Sequence, residues 1–65
     1  MSKDLENATK AAQAADLLCQ DLRALANTDS LILSDAIMAE LDIAAAQRNR
    51  LERIASNLKQ MEVKP

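Results

Sequence analysis

Residues 27–30, Asn-Thr-Asp-Ser, are the only run of turn-forming residues inside this chain of 65 residues. The sequence has no glycine, and its single proline is the last residue. On both sides of the turn the chain is rich in Ala, Leu, Glu, Lys, Arg, Gln and Met, which are strong helix formers. The pattern predicts an all-α protein, a two-helix antiparallel hairpin that forms one domain over residues 1–65.

The ends of the two helices are predicted from the residues around this turn. The first helix covers about residues 3–27, and Asn27 is the best non-glycine candidate for a left-handed cap at its end. The second helix ends at about residue 62. Residues 31–33 can be either its first turn or an extended entry, so it begins at 31 or 34. Four side chains can cap it: Thr28, Asp29, Ser30 and Ser34.

Both helices carry apolar residues at the three- and four-residue spacing of a buried helical face. In the first helix two such stripes, one through Cys19 and one through Leu18, meet at Leu22 and form a broad apolar face. The second helix has one main stripe from Ile37 to Met61. The predicted core and dimer residues are Leu18, Leu22, Ile37, Leu41, Leu51, Ile54 and Leu58.

Two polar residues, Gln47 and Arg48, interrupt the apolar stripe of the second helix. If the chain turns near residue 29, they face Ala11 and Ala12 of the first helix. These small alanines would leave room for a long polar side chain to lie across the interface. Arg48 is therefore expected to support the fold.

A chain of this length buries only about 60% of its unfolded surface, so the hairpin needs further support. The single cysteine excludes an intrachain disulfide, and there is no histidine for a metal site. Oligomerisation is the remaining source of stability. The first half of the second helix is apolar on more than one side, which one neighbouring helix cannot cover. We therefore expect a dimer with a second copy, or with a partner protein, that forms a four-helix bundle.

No motif for catalysis, metal binding or nucleotide binding occurs in the sequence. Cys19 is expected to be a small core residue, because no histidine is present to act as its base. The chain is therefore expected to be neither an enzyme nor a cofactor-binding protein. It has no apolar leader and no apolar run of about 18 residues. With its single free cysteine, this favours a cytoplasmic location and no membrane partner.

The charges are distributed unevenly along the chain. Residues 1–46 carry three basic and eight acidic side chains, a net charge of −5. Residues 47–65 carry five basic and two acidic side chains, a net charge of +3. Arg50 and Arg53 are expected to point outward and contact a partner. A nucleic acid is the less favoured partner, because Glu52 lies between them and no aromatic residue is present for base stacking.

An apolar patch near the turn is the other candidate binding surface, since leucine and methionine suit adaptable interfaces. The predicted partner-binding residues are Leu17, Leu31, Ile32, Met38, Arg50 and Arg53. They favour a small non-enzymatic regulator or inhibitor that occupies a surface of a host or cognate protein.

In length and helix pattern the chain resembles the plasmid-encoded Rop family, whose two-helix hairpins dimerise into four-helix bundles. It also resembles the helical co-chaperones of secretion systems, and short phage proteins that disable host regulators. These resemblances imply a bundle architecture, with an RNA- or DNA-binding regulator or a co-chaperone subunit as alternative functions. They imply no functional residue, because no residue motif is shared.

Overall fold

A computed structural model describes the backbone of residues 2–63 and the side chains of residues 3–62. It contains two α-helices, α1 (Ser2–Ala26) and α2 (Leu31–Val63), joined by the turn at residues 27–30. The predicted all-helical hairpin is confirmed, and no strand occurs in the described part of the chain. The Cα atoms extend over 53 × 14 × 11 Å. At about 1.5 Å per residue, α2 alone spans nearly this whole length.

Side-chain oxygens close the turn between the helices. The backbone N–H of Leu33 donates to Ser30 Oγ at 3.3 Å, and the N–H of Ser34 donates to the Ser30 carbonyl oxygen at 2.9 Å. Ser30 is therefore the N-cap of α2, with the hydroxyl bond that this position favours. Residues 31–33, for which the sequence left two conformations open, form the first turn of α2.

Asn27 does not adopt the left-handed conformation predicted for it. No residue in the described backbone, glycine or other, has a positive φ angle. The Asn27 N–H donates to the Ala24 carbonyl oxygen at 3.2 Å, and the Ser30 N–H donates to Thr28 Oγ1 at 3.3 Å. The threonine hydroxyl supplies a local turn bond, so the chain can reverse without a left-handed residue.

Small side chains form the seam where α1 and α2 meet. Cys19 is fully buried and packs with Leu41 and Ala44, while Leu22 and Ala45 flank this cluster. The prediction that Cys19 is a core residue is confirmed. Because alanine and cysteine are short, the helices meet without covering the longer side chains beside them. The described side chains that are buried number four: Ala12, Cys19, Leu41 and Ala44.

The register of the two helices differs from the expected one. Arg48 lies against Asp16, with Nη1 and Oδ1 3.5 Å apart, and not against Ala11 and Ala12. A turn centred near residue 29 would give one pairing of α1 with α2, and the observed pairing is shifted from it by about five residues. The shift arises because α2 begins beyond the end of α1. In this register the start of α2 projects beyond the end of α1. Measured along the helix axis, Leu31 lies past Ala26 by the height of seven helical residues, or about 10 Å.

Candidate interaction surfaces

One broad side of the hairpin carries large apolar side chains. The position of each residue relative to the seam determines whether it lies on this side. Leu18 and Ile43 each directly precede a buried seam residue, and Leu25 and Ile54 each precede a partly buried one. One residue corresponds to about 100° around a helix. Because both helices are right-handed and run antiparallel, the residues before seam positions lie on the same side of the hairpin. We call this the apolar face, defined by Leu18, Leu25, Ile43, Ile54 and Met61.

The side chains of the apolar face are open to solvent in the single chain. Leu18, Leu25 and Ile54 are 47–50% exposed, Ile43 is 61% exposed and Met61 is 69% exposed. The face includes residues of both helices and is bordered by partly buried residues such as Leu22 and Leu51. Glu40 and Arg50, which also directly precede seam residues, place charged groups on the same side. Several large apolar side chains exposed on one side are characteristic of a protein interface.

The opposite side of the hairpin is mostly polar, because most residues that directly follow seam positions are hydrophilic. Met38, which follows Ile37, is an exception. We call it the polar face, defined by Thr9, Gln13, Gln20, Asn49, Glu52 and Ser56. A groove of about 340 Å³ lies on this side. It is lined by four residues with polar or charged side chains, Thr9, Gln13, Asp16 and Glu52, and by the two alanines Ala12 and Ala55.

Asp16 connects the two helices on the polar face. Its Oδ2 accepts a hydrogen bond from Gln20 Nε2 at 2.9 Å, and its Oδ1 faces the Arg48 guanidinium. Arg48 also donates from Nε and Nη2 to Asn49 Oδ1, at 3.4 and 3.3 Å. The pair is only partly shielded, with side-chain exposures of 23% for Arg48 and 44% for Asp16. A partly exposed pair of this kind contributes only about 0–1 kcal/mol to stability.

Among the described side chains, the most exposed large apolar ones lie at the turn end. Leu31 is 81% exposed and Ile32 is 86% exposed, because the first turn of α2 projects beyond α1. Met38 is 48% exposed and lies two turns further along α2, on the same side as Leu31. These three predicted partner-binding residues lie within the first eight residues of α2, and we call them the turn-end patch.

The other predicted partner-binding residues lie elsewhere. Leu17 is 56% exposed on the outer side of α1, away from α2. Arg50 and Arg53 are exposed on α2, and Arg50 is nineteen residues, or about 28 Å, from Leu31. One small partner surface could not contact all three locations at once.

The predicted core residues fall into three groups by burial in the single chain. Leu41 is buried, and the two members of the set on the apolar face, Leu18 and Ile54, are about half exposed. The others are partly buried: Leu22, Ile37, Leu51 and Leu58.

Some residues of these surfaces were not among the predicted site residues. Leu25, Ile43 and Met61 complete the apolar face, and the signal for the first two is their position directly before a seam residue. Asp16 is the acidic partner of Arg48, and the sequence analysis did not identify it. That partner depends on the register, which the turn sequence did not reveal.

The described residues contain no group of three or more histidine, cysteine, aspartate or glutamate side chains placed to hold a metal ion. Within the same residues neither helix has a stretch that is both apolar and long enough to cross a membrane. Comparison of the chain with protein-family models, with curated proteins and with solved structures gives no match.

Proposed function

We propose that this protein is a small, non-enzymatic regulator or inhibitor that works as a homodimer and binds another protein. The observation that carries the proposal is the exposure of large apolar side chains: ten of them are 39–86% exposed, while only four described side chains are buried. Leaving so much apolar surface in water is unfavourable. A second surface that covers it therefore makes the fold more stable.

The apolar face supports the homodimer. Its five large apolar side chains are 47–69% exposed and come from both helices. Two hairpins stacked on this face would form a four-helix bundle. Their interface would bury Leu18 and Ile54, which the single chain leaves half exposed.

The turn-end patch supports binding of a different protein. Leu31 and Met38 lie on the side of α2 away from the apolar face, and the highly exposed Ile32 lies at the very end of the hairpin. Stacking on the apolar face would leave this patch accessible. Apolar anchors on one side of a helix suit a groove on a partner protein. The single free cysteine favours a partner in the cytoplasm.

The experiment is affinity capture from a cytoplasmic lysate with the Leu31→Ser/Ile32→Ser variant and the unchanged protein. We expect the same protein to be captured specifically by the unchanged chain and lost with the variant. Light scattering on both should give a mass near twice 7.1 kDa. The matched control is Ser56→Ala on the polar face, which should capture as well as the unchanged chain. Equal capture by all three chains would refute the role of the turn-end patch.

A second candidate function, nucleic-acid binding, is favoured by the arginines of α2. Arg50 and Arg53 are exposed, and neither forms an ion pair within 4.0 Å among the described residues. Phosphate binding would weaken steeply as salt rises, whereas apolar capture would not. The test is repetition of the capture after nuclease treatment and at raised salt, with Arg50→Ala/Arg53→Ala as the variant. Capture that survives nuclease and salt excludes this function.

A further inference from the structure

We infer that the second copy packs on the apolar face with its turn pointing to the opposite end of the bundle, so that the Gln47 side chains of the two chains meet on the two-fold axis. This inference rests on the proposed homodimer and specifies its orientation. Gln47, the charge distribution and the length of α2 support it.

Gln47 lies on the apolar face, because it directly precedes Arg48 at the seam. It is exposed in the single chain, on the same side of α2 as Ile43 and Ile54. Burial of the Gln47 amide in a dimer interface without a hydrogen-bond partner would cost free energy. The position therefore calls for a polar group on the covering surface.

The length of α2 places Gln47 at its midpoint, with sixteen residues on either side between Leu31 and Val63. When α2 packs antiparallel against its own copy with full overlap, position 47 faces position 47 of the second copy. A carboxamide has both a donor and an acceptor, so two glutamines can bond to each other. A symmetric dimer requires such self-complementarity at its axis.

The charges differ between the two ends of the hairpin. The turn half, residues 17–47, carries five carboxylates and one arginine, a net charge of −4. The open half, residues 3–15 and 49–62, carries five cationic side chains and four carboxylates, a net charge of +1. The Asp16–Arg48 pair lies at the boundary and is omitted from both counts. Opposite orientation brings the acidic half of each chain against the basic half of the other, which is favourable.

The alternative dimer has both turns at the same end, and it is disfavoured on two grounds. It places the two halves of charge −4 beside each other, where like charges repel. It also stacks α2 on α1 of the second copy, so that Gln47 would lie near Leu18, since 18 and 47 are at nearly the same height in the observed register. Leucine offers no group to bond the buried amide.

Disulfide cross-linking tests the position of the axis. In a Cys19→Ala background, Gln47→Cys should give a covalent dimer under mild oxidation, because the two thiols meet at the axis. The matched control is Asn49→Cys on the polar face, which should remain uncross-linked. Cross-linking at 49 but not at 47 would overturn the inference.

Distance measurement tests the orientation independently. A spin label at Asp29→Cys in the same background should give a distance of about 40–50 Å between the two turns, from 1.5 Å per residue. Turns at the same end would give less than about 25 Å, from helices packed 8–10 Å apart. A dimer mass with the short distance overturns the orientation but leaves the proposed homodimer intact. A mass of one chain overturns both.

Discussion

The two sides of the hairpin have the same backbone and the same neighbouring seam, but opposite surfaces. On the polar face the residues after seam positions can remain in water, and its groove is walled mainly by polar side chains. On the apolar face the large apolar side chains of Leu18, Leu25, Ile43, Ile54 and Met61 are between 47% and 69% exposed. In the single chain, polar side chains on one side can remain in water, whereas apolar side chains on the other side are left uncovered. Substitutions at matched positions on the two sides can test this contrast.

The largest effect is expected from a charge on the apolar face. Ile54→Asp would place two carboxylates in the proposed dimer interface, where burial of an unpaired charge is strongly unfavourable. We expect the mass in light scattering to fall from the dimer to 7.1 kDa at micromolar concentration. Thermal unfolding followed by circular dichroism should occur at a lower temperature.

The control for Ile54→Asp is Ser56→Asp, which adds the same charge two residues away on the polar face. This variant should keep both its mass and its melting temperature. If the two variants behave alike, the two sides of the hairpin do not differ in the way we propose.

The seam is expected to contribute less than the dimer interface but more than any surface position. Leu41 is 8% exposed, and its replacement by alanine should lower the free energy of unfolding by about 2–5 kcal/mol. Met38, which is 48% exposed on the same helix, is the control and should lose less than half as much when replaced by alanine. Urea unfolding measures both. Equal losses would mean that the seam is not the core of the hairpin.

Capping of α2 should have a smaller effect. Ser30→Ala removes the hydroxyl that accepts from the Leu33 N–H, and should lower the free energy of unfolding by about 0.5–2 kcal/mol. Asp29→Ala in the same turn should change it by no more than about 0.5 kcal/mol. A larger loss of unfolding free energy at Asp29 than at Ser30 would mean that Ser30 is not the N-cap of α2.

The smallest effect is expected on the polar face. Arg48→Met keeps the aliphatic stem and removes the ion pair with Asp16, which should cost about 0–1 kcal/mol because both groups are partly exposed. A double-mutant cycle with Asp16→Asn isolates this term. A coupling well above 1 kcal/mol would show that the polar face also holds the hairpin together.

The helices themselves could be predicted from the sequence because their composition and spacing are local properties. The seam position of Cys19 followed from the same spacing. The register could not be predicted, because it depends on how far residues 27–30 carry the chain before α2 begins. Because the turn carries the chain farther than expected before α2 begins, Arg48 lies against Asp16 and not against Ala11 and Ala12.

The apolar face was only partly visible in the sequence. The sequence shows apolar stripes through Leu18 and Ile54. Whether these stripes face the seam or solvent depends on which residues of each helix form the contact between the two helices. Alanine and cysteine at the seam brought the helices together and left the longer side chains beside it. Leu17 was predicted from its exposed position and Arg53 from its charge, and neither property indicates which residues lie together.

The complete burial of Cys19 makes this thiol a natural reporter of helix separation. A reagent can reach it only in molecules whose helices have transiently parted, so its modification rate measures the free energy of that opening. Cys19 lies inside each hairpin and not on the apolar face. If its rate falls as protein concentration rises, the hairpin closes fully only when a second copy is bound, and folding and assembly form one linked equilibrium.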